Sequence, residues 1–311
     1  IGEHSPGWYT KGYLHNRLPN GTTIYVKKNR ISRLDAAKTA AQEFLKTYSG
    51  LTFNTDGTVA AGQENKQPLG RFVSVVAFAT GVEEKQSWID VSTPANYRTV
   101  KALFSGNSLA AEGGTNLAAG LTYAKYLLEK NTVSGAIKNV IALSDGEPTF
   151  YLSKTKKCDD KECDYRNDRY PVTINRETYY VHGRGDACSR YTRDATDVAA
   201  TAVKNVSADL YTIFFGKTGV KMKEKNNKNW EITVEDYLAS LATVKNGNSL
   251  AYKASNISQL NKAFEDITQS IVSGLSTGTV KDTLPTGISS TVFGEEETVM
   301  NWELNSTAFT K

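Results

Sequence analysis

The stretch Val140-Ile141-Ala142-Leu143-Ser144-Asp145-Gly146-Glu147-Pro148-Thr149 decides the fold. Four apolar residues in a row, closed by Asp-Gly and a proline, read as a fully buried central strand. The strand ends on a carboxylate, and Gly146 lets the chain turn at once. Ligands of open α/β sheets gather where strands end, which makes Asp145 a site candidate. A second stretch, Glu112-Gly113-Gly114-Thr115-Asn116-Leu117, opens the helix that leads into this strand. A hydroxyl from Thr115 and a carboxylate from Asp145 on neighbouring loops suit a hard, octahedral cation such as Mg²⁺ or Mn²⁺. On the residues alone two other readings stay open: Thr115 as a helix N-cap and Asp145 as a turn aspartate.

Working outward, apolar runs alternate with amphipathic segments. Helices are expected over 32–48, 96–104, 115–129, 194–207, 235–243 and 257–272. Strands are expected over 71–80, 88–91, 139–144, 209–216 and 249–253. Strand–helix alternation of this kind means a doubly wound, mostly parallel α/β sheet with helices on both faces.

The strings Gly113-Gly114-Thr115-Asn116 and Leu143-Ser144-Asp145-Gly146-Glu147-Pro148-Thr149 resemble the second and third parts of the metal-ion-dependent adhesion site of von Willebrand factor A domains. The resemblance runs over residues 31–274 once insertions are set aside. It implies that Thr115 binds the cation directly and that Asp145 binds it directly or through water. The family's first motif, D-x-S-x-S at the end of the first strand, is not found. Asp90-Val91-Ser92-Thr93-Pro94 has proline in place of the second serine and follows an edge strand, so it is a decoy. The chain as given is expected to begin just after that motif. The segments 71–80 and 139–144 should then flank the place of a missing central strand and not pair with each other. Residues 22–27 are an alternative occupant of that place, but Lys27 and Lys28 suit an exposed hairpin.

Two segments break the α/β rhythm and read as inserted arms, about residues 1–30 and 151–193. Asn20-Gly21 followed by Thr22-Thr23-Ile24-Tyr25-Val26 signals a hairpin in the first. The second holds all three cysteines, Cys158, Cys163 and Cys188, with many charges and tyrosines. An odd cysteine count in an extracellular chain implies one disulfide, expected to use Cys188 and tie the arm's ends. A Cys₃His zinc site with His182 is an alternative. Arg184-Gly185-Asp186 forms the Arg-Gly-Asp tripeptide, a ligand candidate if displayed. Residues 275–311 turn Ser-, Thr- and Gly-rich with a β-type pattern and read as the edge of a flanking β-sandwich-like domain, with residues 1–274 forming the vWA domain.

The formal net charge of +4 over 311 residues implies no general affinity for nucleic acid or acidic membranes. No apolar run is long enough to insert into a membrane. The three histidines all fall in the arms, and no nucleophile elbow, P-loop or dinucleotide fingerprint appears, so no enzyme is expected. Among von Willebrand factor A proteins, two arms at the metal face plus a β-rich flank resemble the tip adhesins of Gram-positive pili. That resemblance implies cell-wall-anchored, extracellular adhesion. An acidic side chain of a host extracellular-matrix protein would complete the cation's shell, and a pilus backbone subunit would be the structural partner. The alternatives are an intracellular subunit of a metal-chelatase or ATPase machine and a purely structural pilus module.

Overall fold

The structure is a computed structural model that describes residues 12–17, 23–28, 32–111, 113–130, 133–158, 171–185, 187–222, 232–276, 279–283, 290–292, 295–297 and 299–303. Two compact units divide the chain, residues 1–265 and 266–311.

The first unit opens with strands β1 (Gly12–Arg17) and β2 (Thr23–Lys28), an antiparallel hairpin with Gly12 opposite Lys28. Helix α1 (Arg33–Ser49) follows. Ser32 accepts a hydrogen bond from the Asp35 amide at 3.0 Å, and Gly50 closes the helix in the left-handed region at φ 67°. The antiparallel pair β3 (Phe72–Phe78) and β4 (Val82–Asp90) leads into α2 (Pro94–Ser105), which begins on a proline. Then come α3 (Leu117–Lys130) and β5 (Lys138–Ser144), the strand of the decisive stretch. After an arm, the rhythm resumes with α4 (Arg190–Asn205) and a strand over Ala208–Phe215. It continues with α5 (Val234–Leu241), a two-residue hairpin pair, a strand over Ala251–Ala254 and α6 (Ile257–Ser276), which crosses the unit boundary. The arm contributes β6 (Phe150–Ser153), β7 (Pro171–Ile174) and β8 (Glu177–Gly183). In chain order Ala208–Phe215 is therefore β9, Val244–Lys245 and Asn248–Ser249 are β10 and β11, and Ala251–Ala254 is β12.

The central sheet comes in two pieces. Strands β5, β9 and β12 are parallel, in the order β12-β9-β5, with Asn139 opposite Asp209 and Ala251 opposite Thr212. Strands β3 and β4 form the other piece. As expected from the sequence, β3 and β5 do not pair. Between them lies a cavity of about 130 Å³, walled by Val76 and Phe78 of β3, Val140 and Ile141 of β5, and Leu121 and Ala124 of α3. Helix α3 ties the two pieces together. At its start the Asn116 amide donates to Ala79 O at 2.7 Å. Midway, Gly120 lies against the Phe78 ring, where a Cβ would come within 2.7 Å. Near its end Leu127 O accepts from the Trp88 indole at 2.9 Å. One apolar core joins α3, α4, α5 and β9, including Leu117, Leu128, Val203, Leu210 and Phe214. A second, with Leu45, Val91, Tyr97 and Val100, joins α1 and α2 to the β3–β4 pair.

The arm after β5 is a small antiparallel sheet in the order β6-β8-β7. Asn175 and Arg176, at φ 52° and 63°, make the two-residue turn between β7 and β8. Positive φ at both central positions matches the right-handed twist of the paired strands. In the second unit β13 (Thr279–Thr283) pairs with β16 (Val299–Glu303), and β14 (Ser290–Val292) with β15 (Glu295–Glu297).

The disulfide expectation needs correction. Cys158 is disulfide-bonded, but Cys188 keeps its thiol. Cys188 is 1% exposed and packs in the α3–α4–β9 core, its sulfur 3.3 Å from Thr192 Oγ1. It stands at the root of the arm, on the core side, where it cannot clamp the arm's ends. The strand pairing of β6 with β8 does that work instead. A disulfide at Cys158 also removes the Cys₃His zinc alternative. Cys163 lies outside the described residues.

Candidate functional site

The site forms where β3 and β5 end on the same side of the molecule. The loop before α3 is held there by main-chain contacts from two directions. From β3's end, Thr80 Oγ1 accepts from the Gly114 amide at 3.4 Å, and Thr80 O accepts from the Asn116 side chain at 2.9 Å. From β5's end, Thr149 Oγ1 accepts from the Thr115 amide at 2.8 Å. Thr115 O in turn accepts from the amides of Thr149 and Phe150, at 2.8 and 3.1 Å. Both main-chain groups of Thr115 are therefore committed, which fixes where its side chain can point.

The side chain itself is not committed. The residue that caps α3 is Asn116, whose Oδ1 accepts from the Ala119 amide at 3.1 Å. This displaces the capping role that the sequence allowed for Thr115. Thr115 Oγ1 makes no hydrogen bond among the described residues, and it lies 3.8 Å from the point where a Cβ on Gly146 would stand. The hydroxyl therefore faces the Asp145–Gly146 turn. Gly114 is required by close approach: a Cβ there would stand 2.6 Å from Thr149 Oγ1 and run into the Phe150 ring. On the far side, a Cβ at Gly216, just past β9, would meet Asp145 O at 2.6 Å.

Asp145 does not behave as a turn aspartate. Ser144 serves the turn, its hydroxyl donating to Gly146 O at 3.1 Å. The Asp145 side chain is 47% exposed and pairs with Arg33, with Nη1 to Oδ2 at 3.2 Å. Arg33 is the first residue of α1, which runs from this end of the sheet to the other, where Tyr48 O accepts from the Arg71 guanidinium at 2.7 Å.

Asp90, in the string set aside as a decoy, lies at the opposite end of β3, paired in register with Phe72. Its carboxylate accepts from the amides of Gly70, Arg71 and Ser92 and from the Ser92 hydroxyl, at 2.9, 3.2, 3.0 and 2.6 Å. These contacts hold the loop before β3 against the end of β4.

The arm is built onto the loop before α3. Phe150, 3% exposed, begins β6, and its ring fills the space over Gly114, Gly183 and Gly185. Gly183 and Gly185 adopt φ 115° and 85°. The Arg-Gly-Asp string therefore sits at the root of β8, not at the arm's tip. Arg184 is exposed there, Gly185 is packed on Phe150, and Asp186 lies outside the described residues. Beside it, Tyr151 packs edge-on against His182 at 5.3 Å and stacks with Tyr191 at 6.3 Å. Arg190 lies 4.9 Å over the Tyr191 ring.

The donor set is a hydroxyl and a carboxylate, both hard oxygen ligands, with Thr115 Oγ1 uncommitted. That chemistry fits a Mg²⁺ or Mn²⁺ ion taking part of its shell from the protein and the rest from water or ligand. Among the described residues no group of three His, Cys, Asp or Glu side chains gathers to form a different metal centre.

Residues 21–147 match the von Willebrand factor type A domain family. Over that stretch, under half of its length, the chain is similar to a von Willebrand factor type A domain. Solved structures agree on the fold. The pilus adhesin SpaC from Lactobacillus rhamnosus GG matches at 16% identity and a TM-score of 0.50, over 83% of this chain and 31% of its own. The PilB minor pilin from Streptococcus sanguinis matches at 17% identity and a TM-score of 0.51, over 79% of this chain and 56% of its own. A point variant of PilB matches at 17% identity and a TM-score of 0.54, over 80% of this chain and 56% of its own. The chain thus spans between 31% and 56% of the length of these structures. No curated protein matches it in sequence. Among the described residues no helix of the domain is long and apolar enough to cross a membrane.

The sequence named Thr115 and Asp145, and the fold brings their loops together. It missed Arg33, Asn116, Thr149 and Gly216. Arg33 had one readable signal: a cation at the first position of a helix opposes the helix dipole and needs a partner.

Proposed function

We propose that this domain is the ligand-binding part of a Gram-positive pilus adhesin, exposed at the cell surface and joined to other pilus subunits. Thr115 and Asp145 hold a Mg²⁺ or Mn²⁺ ion, and an acidic side chain of a host extracellular-matrix protein binds there. The observation that carries this reading is the Thr115 hydroxyl, freed from capping by Asn116 and aimed at the Asp145–Gly146 turn. A bound divalent ion supplies concentrated positive charge to which a ligand carboxylate can add its oxygen. The clamped main chain of Thr115 orients the hydroxyl before any ligand arrives, so little ordering cost falls on binding. The β6-β8-β7 arm, rooted on the same loop, offers the shape selection that a single carboxylate contact lacks. Similarity to SpaC and PilB favours the pilus setting, and a disulfide at Cys158 suits an oxidising compartment.

The test is binding to a panel of immobilised extracellular-matrix proteins in Mg²⁺ and in EDTA. EDTA and the substitution Asp145→Ala should each lower binding at least about tenfold, a loss of about 1.4 kcal/mol. The unfolding temperature of the variant should stay close to that of the parent. Equal binding by parent and variant, with and without EDTA, ends the adhesion-site reading.

A further inference from the structure

Arg33 is in an unfavourable place for a cation. It follows the Ser32 cap as the first residue of α1, where unsatisfied amides make the helix end positive. Its side chain is only 20% exposed, so water does little to relieve the charge. Asp35, in the same turn, has Oδ2 engaged by the Ser32 hydroxyl at 2.7 Å. What stabilises the guanidinium is the contact to Asp145 Oδ2 at 3.2 Å, which joins α1 to the end of β5 across 112 positions of sequence.

We infer that Arg33 is a built-in competitor for the Asp145 carboxylate, so that a divalent cation entering beside Thr115 must share or break the Arg33–Asp145 pair. The inference rests on the cation site proposed above and deepens it. Asp145 is the carboxylate of the candidate pair, and the oxygen that Arg33 touches is one of only two it can offer. A guanidinium is always charged, so the competition does not lapse at any ordinary pH. The pair is a latch: with the cation absent it neutralises Asp145, and with the cation present it yields. Arg33 thereby sets a threshold cation concentration for the site. Once displaced, its fork of donors is left beside the bound ion, where an acidic ligand can use it.

The experiment is Mn²⁺ binding to the full 311-residue chain, followed by the electron paramagnetic resonance of free Mn²⁺. The proteins are the parent, Arg33→Gln, Asp145→Asn and Lys38→Gln. Lys38 stands on the same helix and bonds Gly106 O, so its loss removes one charge without touching the pair. Arg33→Gln is expected to tighten Mn²⁺ about tenfold, Lys38→Gln to change it less than about twofold, and Asp145→Asn to abolish it. If Arg33→Gln binds Mn²⁺ no better than the parent while Asp145→Asn does not bind, the latch is wrong and the cation site stands. If Arg33→Gln and Lys38→Gln tighten it equally, the effect is general charge and the latch is again wrong. If neither the parent nor Arg33→Gln binds Mn²⁺ at millimolar concentration, the cation site falls and takes the latch with it.

Discussion

Strands β9 and β3 read alike in sequence and live differently. Both are nearly continuous apolar runs, Leu210-Tyr211-Thr212-Ile213-Phe214-Phe215 in one and Phe72-Val73-Ser74-Val75-Val76-Ala77-Phe78 in the other. Strand β9 is paired on both edges, with β5 and β12, and every residue from Leu210 to Phe215 is at most 3% exposed. Among the described residues strand β3 is paired only with β4, and no residue in it reaches full burial. Strand β5 shows the same in milder form, with only Ser144 fully buried. A run of apolar residues specifies a strand made for neighbours on both sides and cover on both faces. Where one neighbour is lacking, the burial that the composition was made for is not reached. Among the described residues, the edges of β3 and β5 that lack a strand partner both line the cavity.

The comparison can be broken most forcefully with matched isoleucines. Ile213 in β9 is 0% exposed, while Ile141 in β5 lines the cavity. Ile213→Ala should cost roughly 2–5 kcal/mol, since both the transfer of the lost carbons and a new void count against it. Ile141→Ala should cost about 1–2 kcal/mol, because atoms facing a void have fewer contacts to lose. Denaturant midpoints at unchanged slope measure both. Equal losses would mean that Ile141 is packed as tightly as Ile213 and that the cavity is filled in solution.

A filling substitution sharpens the same contrast at a smaller scale. Ala124 on α3 faces the cavity. Ala124→Leu adds three carbons to about 130 Å³ of space and should stabilise the chain by about 1 kcal/mol. Ala199 on α4, 5% exposed, packs in the closed core, and Ala199→Leu should destabilise by roughly 1–3 kcal/mol through overpacking. Opposite signs from the same chemical change would locate the open half on α3's side. A loss at both positions would remove the distinction.

Strands β9 and β5 and the loops at their ends were the parts most legible in the sequence. The run 209–216 and the segment 139–144 announced β9 and β5 to within a residue, and the GGTN and LSDGEPT strings placed Thr115 and Asp145 at the sheet's end. That β3 and β5 do not pair with each other was legible too. Harder to read was whatever depends on tertiary partners. In helix α1 the residues at helical spacing are Leu34, Ala37, Ala41, Phe44, Leu45 and Tyr48; of these Leu45 is buried, and the other buried residues are Ala36, Ala40 and Ser49. A helix rich in alanine carries too little contrast to fix its own rotation. The arm's β7–β8 hairpin was missed because Asn175-Arg176 lacks the glycine that usually marks such a turn. The fate of Cys188 could not be read from spacing, since one residue's position along the chain does not say on which side of the core it falls.

The smallest expected effect lies within the closed half, and it tests how deep that half's burial is. Asp197 on α4 accepts from the Tyr237 hydroxyl of α5 at 2.9 Å, and the same hydroxyl contacts Arg193 O at 3.2 Å. Burial raises the Asp197 pKa, and the Tyr237 hydrogen bond and Arg193 charge only partly restore it. Burial likewise pushes the Tyr237 hydroxyl far up, so it remains the proton donor throughout. A carboxyl whose pKa is higher folded than unfolded favours the folded state most when protonated in both. That stability is lost as pH rises through the folded value. Asp197→Asn keeps an acceptor for Tyr237 and removes the titration. Below about pH 3, where Asp is protonated folded or unfolded, the variant and the parent should unfold at similar temperatures. From there to neutral pH the variant should become the more stable of the two, by less than either packing substitution changes. Melting curves across that range decide it. A parent that gains on the variant as pH rises would show that Tyr237 and Arg193 outweigh burial, and that this side of the core is wetter than its packing implies.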